Sequence, residues 1–312
     1  MTEYFATVAR GLEQLAAQEL TEIGATDITL GFCGVSFHGD RELLYRINLL
    51  ARLPFRVLVK LGEFPSIDGD ELYESIQGID WGQYLTPDLT MAVTVTGKNA
   101  QLNHSHFTAV QVKRAITTQQ TKQFGDRSNV DITDPDVRIN VHIDKDISTV
   151  SLDSSGSSLH RRGYRSAVGD APLKESLAAA LVKMSGWTPD LAFVDPLCGS
   201  GTLPLEAAMQ ALNIAPGVFR ESFGFERWLD FDPELFDRLL KAAEAAEKKD
   251  IQPTIIGSDR SYEIIQQAQS NALKSGVGSY IQFAQLELAD VEAPADTGIL
   301  LCNPPYGERL GR

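Results

Sequence analysis

The chain has 312 residues, of which 43% are hydrophobic and 22% charged, with a net charge of −14. That length suits two or three domains with a substantial core, and the lack of any apolar run near 20 residues, or of a signal-like start in MTEYFATVAR, predicts a cytoplasmic protein without a membrane span. Lys plus Arg against Asp plus Glu runs 6 to 7 over residues 1–60, 10 to 14 over 61–165 and 12 to 21 over 166–312, so any nucleic-acid surface must be a local patch.

The first sixty residues alternate between two hydrophobic periods. YFATVA (4–9) reads as a strand, LEQLAAQELTEI (12–23) as a helix, and ITLGFCGVSFHG (28–39) as one or two strands around Gly31 and Gly34. RELLYRINLLA (41–51) is helical again and FRVLVKLGEF (55–64) is a strand. The order βαββαβ predicts a ferredoxin-like domain over 1–62. A Pro- and Gly-punctuated link, EFPSIDGDE, then opens a second α+β unit over 63–155. It holds a helix at 72–79, a strand at 91–97, a long helix at 106–124, and strands at 137–144 and 147–155 joined tightly through Lys145 and Asp146.

SSGSSLHRRGYR leads a linker over 156–170, after which a strict α/β rhythm predicts a parallel, Rossmann-like sheet over 171–312. A helix is expected to start near Pro172 with Asp170 as its cap. Strands follow at 191–196, 254–259, 281–288 and 298–303, and helices at 202–213 and 262–276. A further helix at 233–249, capped by Asp232, lies in an insertion.

Three features of this last part carry chemistry. DPLCGSGT (195–202) joins a strand to a helix at the edge where open α/β sheets bind ligands, and its two glycines let the backbone pass close beneath a ligand. It lacks the third glycine of a dinucleotide fingerprint, and its helix N-terminus suits the carboxylate of S-adenosylmethionine. Asp259 ends the second strand, where a carboxylate either accepts from ribose hydroxyls or caps a helix. On the third strand, Glu287 or Asp290 is a candidate acceptor for the adenine amino group.

The fourth strand runs into Asn303, Pro304, Pro305 and Tyr306. Two prolines remove amide donors and leave carbonyls free, so Asn303 and Pro304 can accept the two hydrogens of an exocyclic amine while Tyr306 stacks on the base. Cys33, Cys198 and Cys302 are far apart, without a CxxC pair or nearby histidines, so neither a disulfide framework nor a metal site is expected.

HRRGYR (160–165), APLKESLAAALV (171–182), DPLCGSGTLPLEAAM (195–209), NIAPG (213–217) and NPPYGERL (303–310) together resemble the THUMP-domain guanine-N2 methyltransferases that act on bacterial large-subunit ribosomal RNA. The resemblance covers essentially the whole chain. It implies a ferredoxin-like and a THUMP RNA-binding region, then a class I methyltransferase domain. It also implies cofactor contacts from Pro172, Leu173, Asp195, Cys198, Gly199, Gly201 and Asp259, with Glu287 where the family usually carries an Asp. Asn303, Pro304 and Tyr306 would form the catalytic base pocket, and large-subunit rRNA or its assembly precursor would be the partner.

Candidate RNA contacts are Lys113 and Arg114 on the long helix and Arg161, Arg162 and Arg165 in the joint. The family's sheet continues past NPPY, so the catalytic domain is expected to lack its C-terminal part. Two other functions fit the same motifs: a DNA or RNA adenine-N6 methyltransferase, and a non-catalytic RNA-binding protein with a vestigial methyltransferase fold.

Overall fold

The computed structural model describes residues 1–165, 173–249 and 252–304. Its first six elements are β1 (Thr2–Thr7), α1 (Glu13–Ile23), β2 (Thr26–Gly31), β3 (Gly34–Gly39), α2 (Arg41–Leu50) and β4 (Arg56–Pro65). They form the antiparallel order β2-β3-β1-β4, the ferredoxin-like arrangement expected from the βαββαβ pattern. Local chemistry sets the ends of the helices. Gly24, at φ 114°, closes α1 in the left-handed region, and the Asp40 carboxylate accepts the Leu43 amide at 2.9 Å to open α2.

Then come α3 (Gly69–Gln77), β5 (Met91–Lys98), α4 (Ser105–Phe124), β6 (Val137–Asp144) and β7 (Ile147–Asp153). Their strands extend the same sheet to seven in the order β2-β3-β1-β4-β7-β6-β5. β4 is the shared strand: Arg56–Val59 pair with β1, and Leu58–Pro65 pair with β7. Residue 62, placed at a domain boundary by the punctuation that follows it, therefore lies inside a strand. Along β6, Val137, Ile139, Val141 and Ile143 are buried, so the strict alternation of VRINVHID leaves Arg138 on the opposite face.

The last part comprises α5 (Glu175–Met184), β8 (Ala192–Asp195), α6 (Thr202–Ala211), α7 (Pro233–Ala245), β9 (Ile255–Asp259), α8 (Tyr262–Lys274), β10 (Gln282–Gln285) and β11 (Gly298–Leu300). Its four strands are all parallel in the order β10-β9-β8-β11, half of a doubly wound sheet. Asp232 caps α7 through the Leu235 amide, with Pro233 in the first turn, as the sequence pattern predicts. The helix expected near Pro172 instead begins at Glu175, after an uncapped Lys174; Asp170 and Pro172 lie outside the described residues. β11 is the last element among the described residues, and residues 305–312 lie outside them.

The catalytic-type domain does not hang from a flexible joint. Its insertion packs on the N-terminal domain: Phe223, Phe225, Leu235 and Phe236 share one core with Phe37, Tyr45 and Ile47. Tyr45 stacks on Phe225 with ring centroids 4.3 Å apart, and Phe236 meets Phe225 edge-on at 5.2 Å. The segment expected as a linker is likewise pinned. Arg220 donates to the carbonyls of Ser155, Ser157, Ser158 and Arg161, and Gly163, at φ 109°, leaves no room for a side chain, since a Cβ there would sit 2.0 Å from the Phe219 carbonyl oxygen.

At the centre of this joint lies a buried ion pair. Arg162 is 2% exposed and Glu206, on α6, is fully buried. Arg162 reaches Glu206 at 3.5 Å and also donates to the carbonyls of Leu159 and Arg52. Arg162→Met would strand the carboxylate, and the expected loss is about 3–5 kcal/mol of stability, read as a lower denaturation midpoint. Arg162→Met with Glu206→Leu is expected to recover most of it.

Candidate functional site

All four parallel strands of the second sheet end at one edge, and the candidate residues sit there. β8 ends at Asp195, which is 1% exposed and accepts the Leu197 amide at 3.1 Å. Burial, reinforced by the nearby Asp259 charge, pushes its carboxyl up to about 7 against the opposing hydrogen bond. The following loop turns through two left-handed glycines, Gly199 at φ 54° and Gly201 at φ 85°.

The two glycines serve different ends. A Cβ on Gly199 would meet open space, so this backbone is free for close approach by a ligand. A Cβ on Gly201 would lie 2.8 Å from Leu205 Cδ1 and 3.2 Å from the Phe283 ring, so here the glycine lets the loop pack down on the sheet. Cys198 is buried, its amide donates to the Ser258 carbonyl at 2.8 Å, and burial with Asp195 and Asp259 nearby pushes its thiol far up. A neutral thiol is a packing group and no nucleophile.

Asp259, at the end of β9, accepts the Gly199 amide through Oδ2 at 3.2 Å and the Ser261 amide through Oδ1 at 3.0 Å. It is not the cap of α8; Ser261 performs that role through the Ile264 amide. The carboxylate thus ties the glycine loop to the next turn and still has lone pairs for ribose hydroxyls. Asn271 on α8 donates to the Ser200 carbonyl at 3.1 Å. Sequence reading missed this support, because an Asn inside an amphipathic helix gives no periodic signal that it reaches a loop 71 residues away.

Asn303 and Pro304 follow β11, exposed at the same edge. The Leu301 amide donates to the Val194 carbonyl, which places Asn303 beside the end of β8. Glu287 lies two residues past β10, exposed, without a side-chain hydrogen bond to the turn that follows it. Pro172, Pro305 and Tyr306 lie outside the described residues. Leu173 is positioned by its carbonyl, which accepts from Arg165 at 3.3 Å. Among the described residues, no cluster of three or more His, Cys, Asp or Glu side chains could hold a metal ion, and no helix is long and apolar enough to cross a membrane.

The five candidate RNA contacts divide sharply. Arg161 and Arg114 are exposed and Lys113 is half-buried. Arg162 is not available to RNA, since its guanidinium is consumed by the buried pair with Glu206. Arg165 is also turned inward: its side chain is 12% exposed, it donates to Thr202 Oγ1 at 2.7 Å, and it faces Glu175 at 3.5 Å. It acts as a brace at the start of α6. The sequence could not separate these arginines, because three within six residues all read as a basic joint.

Comparison with known proteins agrees with this arrangement. Residues 3–58 match the RlmL ferredoxin-like domain, 68–153 the THUMP domain, and 162–312 the RMKL-like methyltransferase domain. The chain is 54% identical over 309 residues to the putative RNA methyltransferase slr0064 of Synechocystis, covering 99% of this chain and 80% of that one. It is 42% identical to the ribosomal RNA large subunit methyltransferase K/L of Syntrophotalea carbinolica, over 99% of this chain but only 45% of that longer protein. The structure of SMU.472, a putative methyltransferase complexed with SAH, superposes with a TM-score of 0.89 at 34% identity, covering 99% of this chain and 81% of that one. With the glycine loop, the strand-end carboxylates and Asn303 on one sheet edge behind a ferredoxin-like and a THUMP domain, the chain belongs to the RMKL-like methyltransferase family.

Proposed function

We propose that this protein is an S-adenosylmethionine-dependent RNA methyltransferase acting on an exocyclic amine, specifically N2 of a guanine in large-subunit ribosomal RNA. The observation that carries the reading is the convergence of Asp195, Gly199, Asp259 and Asn303 at one edge of a parallel sheet. The named activities of the relatives support it: slr0064 is a putative RNA methyltransferase and the Syntrophotalea protein a large-subunit rRNA methyltransferase.

The residues present fit the cofactor. The space above Gly199 admits a ligand against the backbone, Asp259 has acceptor capacity for ribose hydroxyls, and Asp195 offers a carboxylate to a cationic group. When bound, S-adenosylmethionine supplies an electrophilic methyl on a sulfonium centre. An aromatic amine is a weak nucleophile because its lone pair is delocalised into the ring. Asn303 and Pro304, accepting the two amine hydrogens, localise that pair and hold the nitrogen in line. A stacked base reaches this edge only after leaving its helix, at a cost of a few kcal/mol.

Gly201→Val would force a β-branched side chain into a left-handed backbone and against Leu205 and Phe283. S-adenosylhomocysteine binding is expected to weaken by about 10-fold or more, measured by calorimetry. The function itself is tested by transfer of tritiated methyl to unmodified large-subunit rRNA, followed by nucleoside analysis. Label in N2-methylguanosine supports the proposal. Label in N6-methyladenosine, in DNA, or in neither would overturn it.

A further inference from the structure

An open cleft of about 890 Å³ lies between the THUMP domain and the catalytic half. One wall is the turn Thr133–Pro135 with Arg138 of β6; the other is the 156–165 segment with the stretch Phe219–Arg227. Seven of its described lining residues are Arg or Lys and three are Asp or Glu, in a chain whose net charge is −14. A local excess of this sign against the protein's overall field needs a reason, and two of the cations, Arg138 and Arg161, have no ion pair among the described residues.

Arg162, Arg165 and Arg220 are committed to Glu206, Thr202 and backbone carbonyls, and Arg227 pairs with Asp134 at 2.8 Å. Arg138 is different. Its Nε is buried without a hydrogen-bond partner, and no carboxylate among the described residues lies within 4.0 Å of its guanidinium, because neighbouring Asp153 is paired with Arg56. The Arg161 side chain is exposed, with no ion pair among the described residues. His160, in the same lining, is held down to about 4 first by burial and then by Lys174, Arg161, Arg162 and Arg165.

We infer that this cleft seats the phosphate backbone of a single-stranded RNA segment, with Arg138 and Arg161 as the phosphate contacts, and leads it from the THUMP domain towards the catalytic edge. The inference rests on the RNA reading above. Arg165 gives the path its direction: it lines the cleft and bonds Thr202, the first residue after the glycine loop. Unpaired guanidiniums on both walls suit a flexible polyanion that bridges them. The two unpaired arginines stand on opposite walls and not at one subsite, which matches a repeating phosphodiester better than a single small anion.

The test is filter binding of the full chain, across a salt series, to large-subunit rRNA stripped of protein and to a mixed-sequence RNA of about 20 nucleotides. Arg138→Gln with Arg161→Gln is expected to weaken binding about 10-fold or more near 0.1 M salt. The slope of log affinity against log salt should flatten by about 1.4, or about 0.7 for each lost contact to a single strand. Arg138→Lys with Arg161→Lys should retain most of the affinity, and Lys241→Gln on α7 should change nothing. An unaltered melting temperature and unaltered S-adenosylhomocysteine binding would show that each variant is folded.

If the wild type binds RNA and the double Gln variant matches it in affinity and slope, the cleft assignment is overturned while the RNA reading stands. An equal loss in Lys241→Gln would reduce the effect to net charge and overturn it as well. If the wild type binds S-adenosylhomocysteine but no RNA, both readings fail. Competition by poly-glutamate as strong as by RNA would assign the cleft to an acidic protein and overturn it.

Discussion

Asn303→Ala is expected to lower the rate of methyl transfer by about 10²–10³-fold, the scale seen when one preorganised polar contact to a reacting group is removed. S-adenosylhomocysteine affinity should stay within about 3-fold of wild type, because a contact made only to the reacting amine acts on the rate and not on cofactor binding. Asn303 is exposed beyond β11 and supports no buried hydrogen bond among the described residues, so the substitution leaves the fold intact. The measurement is single-turnover methyl transfer with saturating cofactor, alongside calorimetric binding. A rate within a factor of about 3 of wild type would reject the role given to Asn303.

Asp195→Asn is the second large effect, and it grows as pH rises. Because burial pushes the Asp195 carboxyl up to about 7, above its ordinary unfolded range, the folded state holds its proton more tightly than the unfolded chain does. The group's contribution to stability is therefore fully present at pH 3, declines as pH rises, and is lost once pH passes about 7. Asn carries no such penalty and can still accept the Leu197 amide. Relative to wild type, the ligand-free variant is expected to gain about 2–4 kcal/mol between pH 4 and pH 8, read as melting temperatures.

The same substitution should cost binding. Above pH 7 the ionised Asp195 offers a negative charge to a cationic ligand, so wild-type affinity for S-adenosylmethionine is expected to rise through pH 7 and that of Asp195→Asn to stay flat and about 10-fold or more weaker at pH 8. A strained carboxylate that lowers the stability of the empty protein and is relieved by its ligand is a common exchange at functional sites. Flat wild-type affinity from pH 6 to 8, or a variant no more stable than wild type at pH 8, would sink this account of Asp195.

The strand-end motifs were legible in the sequence because each rests on local backbone chemistry. Gly199 and Gly201 adopt left-handed conformations that glycine reaches without strain, and the apolar strand before them fixes where the loop emerges. The Ser261 cap instead of an Asp259 cap shows the limit of local reading. Both residues precede α8, and only the folded chain reveals that Asp259 is occupied by the Gly199 amide from another loop.

By itself the sequence determined the element order, both sheet types and which residues stand at the ends of the parallel strands, since periodicity and glycines act within a few residues of themselves. Tertiary structure alone decided which arginines of HRRGYR are free: Arg162 meets Glu206 from 44 residues away, and Arg165 meets Thr202 from 37 away. It also decided that β4 serves two domains in one sheet, and that the insertion around Phe225 welds the catalytic half to the ferredoxin-like core. The physical reason is the same in each case. Burial and charge pairing belong to the partner that long-range packing supplies, and a residue's own neighbours in the chain do not specify that partner.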